Sequence, residues 1–190
     1  MFCSSSTRID GWYVDLAAQV GSELARRGHA LVSGGGNISC MGAVARAARS
    51  GGAETVGVIP DGLRTLEFAD EDADELVVTA TMRERKAEMD RRADAFLALP
   101  GGIGTLEELF EMWTARTLGL HDKPVVVLDP DGLFGLLREQ LDVLHKAGFL
   151  RDHAVDALAW TTSVADALDA CERAGGHDVP APDEVLEAEP

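Results

Sequence analysis

The sequence predicts an α/β fold, a doubly wound parallel sheet with helices on both faces, in a single domain. Three observations predict it. Short apolar runs recur along the chain, and most are followed by a stretch with helical periodicity, the order that makes βαβ crossovers. The runs are continuously apolar rather than alternating, as in Val125-Val126-Val127-Leu128, which fits strands covered on both faces. The unusual loops, rich in glycine and serine, follow strands, and ligands of open α/β sheets bind beyond the carboxyl ends of the strands.

Taken in order, Phe2-Cys3 reads as the end of a very short strand entering the polar turn Ser4-Ser5-Ser6. Asp10 to Arg27 sets Trp12, Leu16, Val20 and Leu24 on one helical face and stops at Gly28. Ala30-Leu31-Val32 is a buried strand running into Ser33-Gly34-Gly35-Gly36, and an alanine-rich helix from Met41 to Ser50 ends at Gly51-Gly52. Thr55 to Ile59 is a third strand, stopped by Pro60. Asp61 to Glu75 is acidic and irregular, with a helical turn around Leu63, and Glu75 to Thr79 is a fourth strand. A helix from Met82 to Ala93 leads to the strand Ala95 to Leu99, the turn Pro100 to Gly104 and a helix ending near Gly119. Pro124 to Leu128 is a strand, Leu133 to Lys146 an amphipathic helix, Ala157 to Trp160 a weak strand and Ser163 to Arg173 the last helix. The domain is expected over residues 1–173, and residues 174–190, acidic and poor in large apolar side chains, are expected to form a disordered tail.

Composition excludes several functions. Against 33 acidic residues stand 17 basic ones, a net charge of −16, so the surface repels nucleic-acid polymers. Five of those basic residues, Arg83, Arg85, Lys86, Arg91 and Arg92, fall within ten positions, a local concentration suited to a small phosphorylated ligand. No apolar run approaches the ~20 residues of a membrane span, and the first residues lack the regions of a signal peptide, so a cytoplasmic protein without membrane partners is expected. Cys3, Cys40 and Cys171 are widely spaced, with no C-x-x-C, and suggest neither a disulfide framework nor a zinc site. The histidines are scattered, and no metal is assigned.

Three stretches carry chemistry. Ser33 to Gly42 holds a glycine-rich turn after a strand. Its fit to G-x-G-x-x-G is loose, and no strand with an acidic end follows about 20 residues on, which argues against a dinucleotide site. A nucleotide-contacting loop and a tight turn with close helix packing at Gly42 both remain open. In Thr81 to Met89, Thr81 with Glu84 forms a capping box. Helical spacing puts Met82, Arg85 (or Lys86), Met89 and Ala93 on one face, with both methionines expected inside. Arg85 thus sits on an apolar stripe and needs a partner: Glu84 or Glu88 in an ion pair, or a carboxylate or substrate in a cleft. Arg83, Arg91 and Arg92 are expected to be solvated. In Pro100 to Glu108, three glycines leave the turn backbone bare, and the helix that follows turns its first N–H groups and positive dipole end toward the same place. This is a phosphate cradle with Glu108 one turn into the helix. Thr105 with Glu108 also fits a capping box, so a purely structural glutamate stands beside a functional one.

Pro100-Gly101-Gly102-Ile103-Gly104-Thr105-Leu106-Glu107-Glu108 matches P-G-G-x-G-T-x-x-E, and Glu84-Arg85-Lys86 matches an E-R-K on the preceding helix. With Gly57 to Pro60 (G-V-I-P), Ala93 to Phe96 (A-D-A-F) and His121 to Pro124 (H-x-K-P), these motifs resemble the LONELY GUY (LOG) family of cytokinin riboside 5′-monophosphate phosphoribohydrolases, once described as lysine decarboxylases. The resemblance runs from Phe2 to about Leu150. It implies a Rossmann-like homodimer that needs no cofactor and cleaves the N-glycosidic bond of adenosine-type 5′-monophosphates to free base and ribose 5-phosphate. It implies Arg85 and Glu108 as the catalytic pair, and Gly101, Gly102, Ile103, Gly104 and Thr105 as the phosphate loop. Lys86, Glu67, Thr114, Gly35, Gly36 and Met82 join them as substrate contacts. Ser39-Cys40 stands where the family often has G-L, Ser4 where it often has glycine, Arg83 where it has histidine, and Ala115 and Thr117 where it often has tryptophan and glutamine. The last two departures alter the helix that approaches the base side, so the resemblance speaks to the reaction more than to the preferred base. A non-hydrolytic nucleotide or molybdenum-cofactor binding protein is the rival reading, and retention of both Arg85 and Glu108 argues against it.

Overall fold

A computed structural model describes residues 1–66 and 68–173; the expected acidic tail and Glu67 lie outside the described residues. The elements follow the order α1 (Gly11–Arg26), β1 (Leu31–Ser33), α2 (Ser39–Ser50), β2 (Thr55–Pro60), a 3₁₀ turn (Asp61–Leu63), β3 (Glu75–Thr79), α3 (Met82–Arg92), β4 (Phe96–Ala98), α4 (Ile103–Thr117), β5 (Val125–Leu128), α5 (Gly135–Lys146), α6 (Asp152–Asp156), β6 (Leu158–Thr161) and α7 (Val164–Glu172). Only the short α6 has no counterpart in the sequence reading.

Every strand pair is parallel, in two three-stranded groups ordered β1-β2-β3 and β4-β5-β6. The first two residues join the groups. The amino group of Met1 donates to Val32 O at 2.7 Å, and Phe2 bridges to Ala98, its N–H on Leu97 O and its carbonyl receiving Leu99 N–H. Side chains of a strand point alternately to opposite faces, and the two cores show it. Leu97, Leu99, Val126 and Leu128 pack with Leu16, Val20 and Leu24 of α1, Val44 of α2 and Leu168 of α7. Phe96, Ala98, Val125 and Val127 pack on the other face with Met89 of α3, and with Leu109, Met112 and Trp113 of α4. The result is a three-layer doubly wound sheet. Among the described residues, no helix is long and apolar enough to cross a membrane.

Two helix starts differ in instructive ways. Thr81 caps α3 as expected: its Oγ accepts from Glu84 N–H at 3.2 Å, while the Glu84 carboxylate reaches back to the amide of Ala80 at 2.9 Å. Thr105 does not cap α4. That helix starts two residues earlier, with Gly102 as N-cap and no side-chain cap. The Gly101-Gly102 pair carries the chain from Pro100 into the helix at Ile103, so Thr105 becomes a buried first-turn residue lying against Gly101. The capping-box reading of Glu108 is thereby removed.

Candidate active site

Two cavities matter at the sheet edges, and they lie at opposite ends. The larger, about 670 Å³, is at the amino ends of β1, β4 and β5, lined by Leu31, Ala95, Pro124 and Leu168 among others. The smaller, about 300 Å³, is at the carboxyl ends and holds the residues with chemistry in them. Chemistry rather than size decides between them. Cys3 to Ser6, Met41, Leu63, Met82, Arg85, Gly102 to Thr105, Glu107 and Glu108 line it. The polar turn after the first short strand contributes to this one cleft, as do residues in or directly after the connections that follow β1, β2, β3 and β4, as the topology requires.

Arg85 is carried on α3 and is 4% exposed. Its Nε donates to Val58 O at 3.1 Å and its Nη2 to Gly34 O at 2.8 Å, while Nη1 contacts Met82 Sδ at 3.6 Å. A backbone carbonyl of β2 and one of the turn after β1 therefore seat the guanidinium. Glu84 and Glu88 are occupied elsewhere. Glu84 completes the cap of α3. Glu88 binds Arg91 and Arg92, whose hydrogen bonds pull its carboxyl down to about 2. Arg92, expected in solvent, is instead half-buried and holds Glu75 by two hydrogen bonds of 2.7 Å. Met82, expected inside, is exposed: the buried stripe of α3 starts at Arg85, and Met82 stands at the mouth of the cleft, one turn earlier.

Across the cleft, α4 presents its amino end. Gly102, Ile103 and Gly104 are exposed, Ile103 to 89%, and no carboxylate lies in the first turn to neutralise the helix dipole. Glu108 follows one turn on, half-buried, and faces both the cleft and a recess of about 10 Å³ that it shares with Phe2, Lys86, Met89 and Met112. Cys3 forms part of the floor, and burial pushes its thiol well up, so it is a neutral, inert wall.

Of the other residues named from the sequence, Lys86 is held by Glu107 and Glu111 of α4, whose hydrogen bonds raise its pKa, so it laces α3 to α4 at the side of the cleft. Gly101 supports Thr105 from below rather than lining the cavity. Gly35 and Gly36 are buried under the segment Phe68–Asp70. Asp70 N–H donates to Gly35 O and Asn37 N–H to Phe68 O, both at 2.8 Å, and Gly36 bridges to Ala69. Arg49 clamps this segment through two hydrogen bonds to the buried Asp70. Thr114 is exposed on α4, apart from the cavity lining, and Glu67 lies outside the described residues. Met41 and Leu63, which do line the cleft, were not named as site residues from the sequence, although Met41 lies within the stretch Ser33 to Gly42 and Leu63 in the turn after β2. Each follows a strand-end loop, and that position was the available signal. Among the described residues, no three His, Cys, Asp or Glu side chains gather in a way that could hold a metal ion.

Comparison with known proteins adds to this geometry. A family model described as "Possible lysine decarboxylase" matches residues 41–171. The chain is 54% identical over 158 residues to the cytokinin riboside 5′-monophosphate phosphoribohydrolase of Mycobacterium tuberculosis, covering 83% of this chain and 84% of that protein. It is 46% identical over 154 residues to a protein of the same name from Arabidopsis thaliana, covering 81% and 72%. Among solved structures, a molybdenum cofactor binding protein from Rippkaea orientalis superposes with a TM-score of 0.65 over 85% of this chain and 87% of that one, at 21% identity, a likeness of fold. A family match over more than half of the chain, and identity above one half to a named phosphoribohydrolase, show that this protein belongs to the LONELY GUY family.

Proposed function

We propose that the protein is a phosphoribohydrolase that cleaves the N-glycosidic bond of adenosine 5′-monophosphates, including those modified at N6, to the free base and ribose 5-phosphate. The observation that carries this reading is the convergence, in one cleft, of a buried arginine, a carboxylate and a bare glycine-rich helix start. The names of its relatives support it.

The chemistry follows from the placement. Breaking the C1′–N9 bond builds positive charge on the ribose, and a carboxylate beside it stabilises that charge and orients the attacking water. Glu108 takes this role. Water oxygen bonds to C1′, the base leaves with the electron pair of the broken bond, and one proton of the water ends on the base nitrogen. Arg85, fixed by Val58 O and Gly34 O, keeps the carboxylate ionised and aimed or binds the substrate. The amides of Ile103, Gly104 and Thr105 hold the 5′-phosphate, and that remote binding energy positions the sugar. Arg85→Ala and Glu108→Gln are each expected to lower base release from AMP and N6-substituted AMP by about 10²–10⁴-fold, with the far-ultraviolet circular dichroism unchanged. Wild-type turnover in either variant sinks the assignment of that residue. Tight AMP binding with no cleavage over hours would favour a binding protein instead.

The reading includes a homodimer. α5 has no fully buried residue, and Leu118, Leu120, Leu136, Val143 and Phe149 are all more than half exposed. Exposed apolar side chains of this number favour a protein partner, and a second copy would cover them next to α4 of the site. Sedimentation equilibrium should give twice the chain mass, and Leu136→Glu with Phe149→Glu should give the single chain; a monomeric wild type would refute the dimer.

A further inference from the structure

We propose that Gly34 is the positioning residue of the catalytic arginine: its missing side chain is the space into which the Arg85 guanidinium fits. This rests on the role given to Arg85 above. Gly34 is the first residue of the turn after β1, buried beneath the cleft. Its carbonyl accepts from Arg85 Nη2 at 2.8 Å. A Cβ at Gly34 would fall 1.9 Å from that same Nη2, closer than nonbonded heavy atoms come, and a tight 3.0 Å from Cζ. The three nearest atoms to that Cβ position, Nη2, Cζ and Nε, all belong to Arg85.

The backbone itself does not ask for glycine here. Gly34 is absent from the glycines with positive φ, whereas its neighbour Gly35 has φ +74°. A φ outside the left-handed region does not call for glycine at position 34, and the nearest obstruction to a side chain there is the guanidinium. The obstructed atom is also the mobile end of a long side chain. Adding a methyl group therefore moves the arginine and leaves the sheet in place. A displacement of about 1 Å in a group that orients the reaction costs about 10²-fold in rate. Position 34 therefore separates activity from stability, which a residue with a merely structural role would not do.

The test is Gly34→Ala, read by kcat and KM for base release from AMP, by Tm, and by the ¹⁵N–¹H resonance of Arg85 Nε, assigned by its loss in Arg85→Ala. Expected are a kcat lower by about 10²-fold, a KM within about threefold, a Tm near wild type and a shifted Nε resonance. Unchanged kcat with an unmoved Nε resonance overturns the proposal. Should Gly34→Ala lower Tm, the double variant Gly34→Ala with Arg85→Ala decides. If its Tm returns to that of Arg85→Ala, the conflict was with the guanidinium, as proposed. If the loss persists without the arginine, the backbone needed glycine and the proposal falls. Full turnover in Arg85→Ala would instead refute the catalytic role of the arginine, while the Nε resonance still reports whether Gly34 seats it.

Discussion

Two glycine-rich turns leave this sheet at its carboxyl edge, and they do opposite things with the same residue. After β1, Gly34, Gly35 and Gly36 are all buried. A Cβ at Gly34 would strike Arg85, and one at Gly35 would meet Val58 N at 3.0 Å and Ile59 Cβ at 3.1 Å. After β4, Gly102 and Gly104 are exposed, and a Cβ on either would meet nothing within 4 Å. The first turn uses glycine to bring protein against protein: backbone on β2, guanidinium on backbone. In the second, Gly101 also packs closely, since a Cβ there would strike Thr105, while Gly102 and Gly104 leave the backbone of the helix start open to solvent. A run of glycines in sequence is one signal for two physical causes, close internal packing and open access.

Alanine at the equivalent places separates these causes, and the larger effect belongs to the buried turn. Gly35→Ala forces an L-residue into φ +74° against the backbone of β2. The left-handed torsion alone costs about 1–2 kcal/mol. With the clash added, a loss of roughly 2–3 kcal/mol, or about 4–12 °C in Tm, is expected in calorimetry. An unchanged Tm would mean that the first turn is not packed as described. Gly104→Ala is expected to do the reverse. Its torsions accept alanine, and the exchange stiffens the unfolded chain, adding about 0.4–1 kcal/mol of stability. If the amide of position 104 meets the phosphate, the added methyl group raises KM for the nucleotide about tenfold, the cost of one charge-assisted hydrogen bond. A more stable protein with an unchanged KM would remove this turn from the phosphate site.

Much of this was legible beforehand. The strands after the first are short apolar runs bounded by glycine, proline or a cap, and periodicity placed the long helices to within two residues at most ends. Thr81 and Glu84 announced the start of α3 because that cap is local, made within four residues. The start of α4 misled for the same reason. Thr105-x-x-Glu108 has the local pattern of a cap, but Gly101 and Gly102 let the helix begin earlier, and Thr105 was drawn into the interior. Arg85 was recognisable as a cation on an apolar stripe. Its carbonyl partners were not, because Gly34 and Val58 are 51 and 27 residues away in the chain.

The sequence by itself determined the fold class, the carboxyl-edge location of the candidate cleft and the family, and through the family's motifs it pointed to Arg85 and Glu108 as the candidate pair. These depend on periodicity, chain order and short motifs, all of which are local. Only the tertiary structure decided which glycines are load and which are opening, that Lys86 is laced to Glu107 and Glu111, and that Met41 and Leu63 reach the cleft. Those outcomes depend on which side chains from distant segments occupy the same few ångströms, and on whether a position faces solvent or a neighbouring strand.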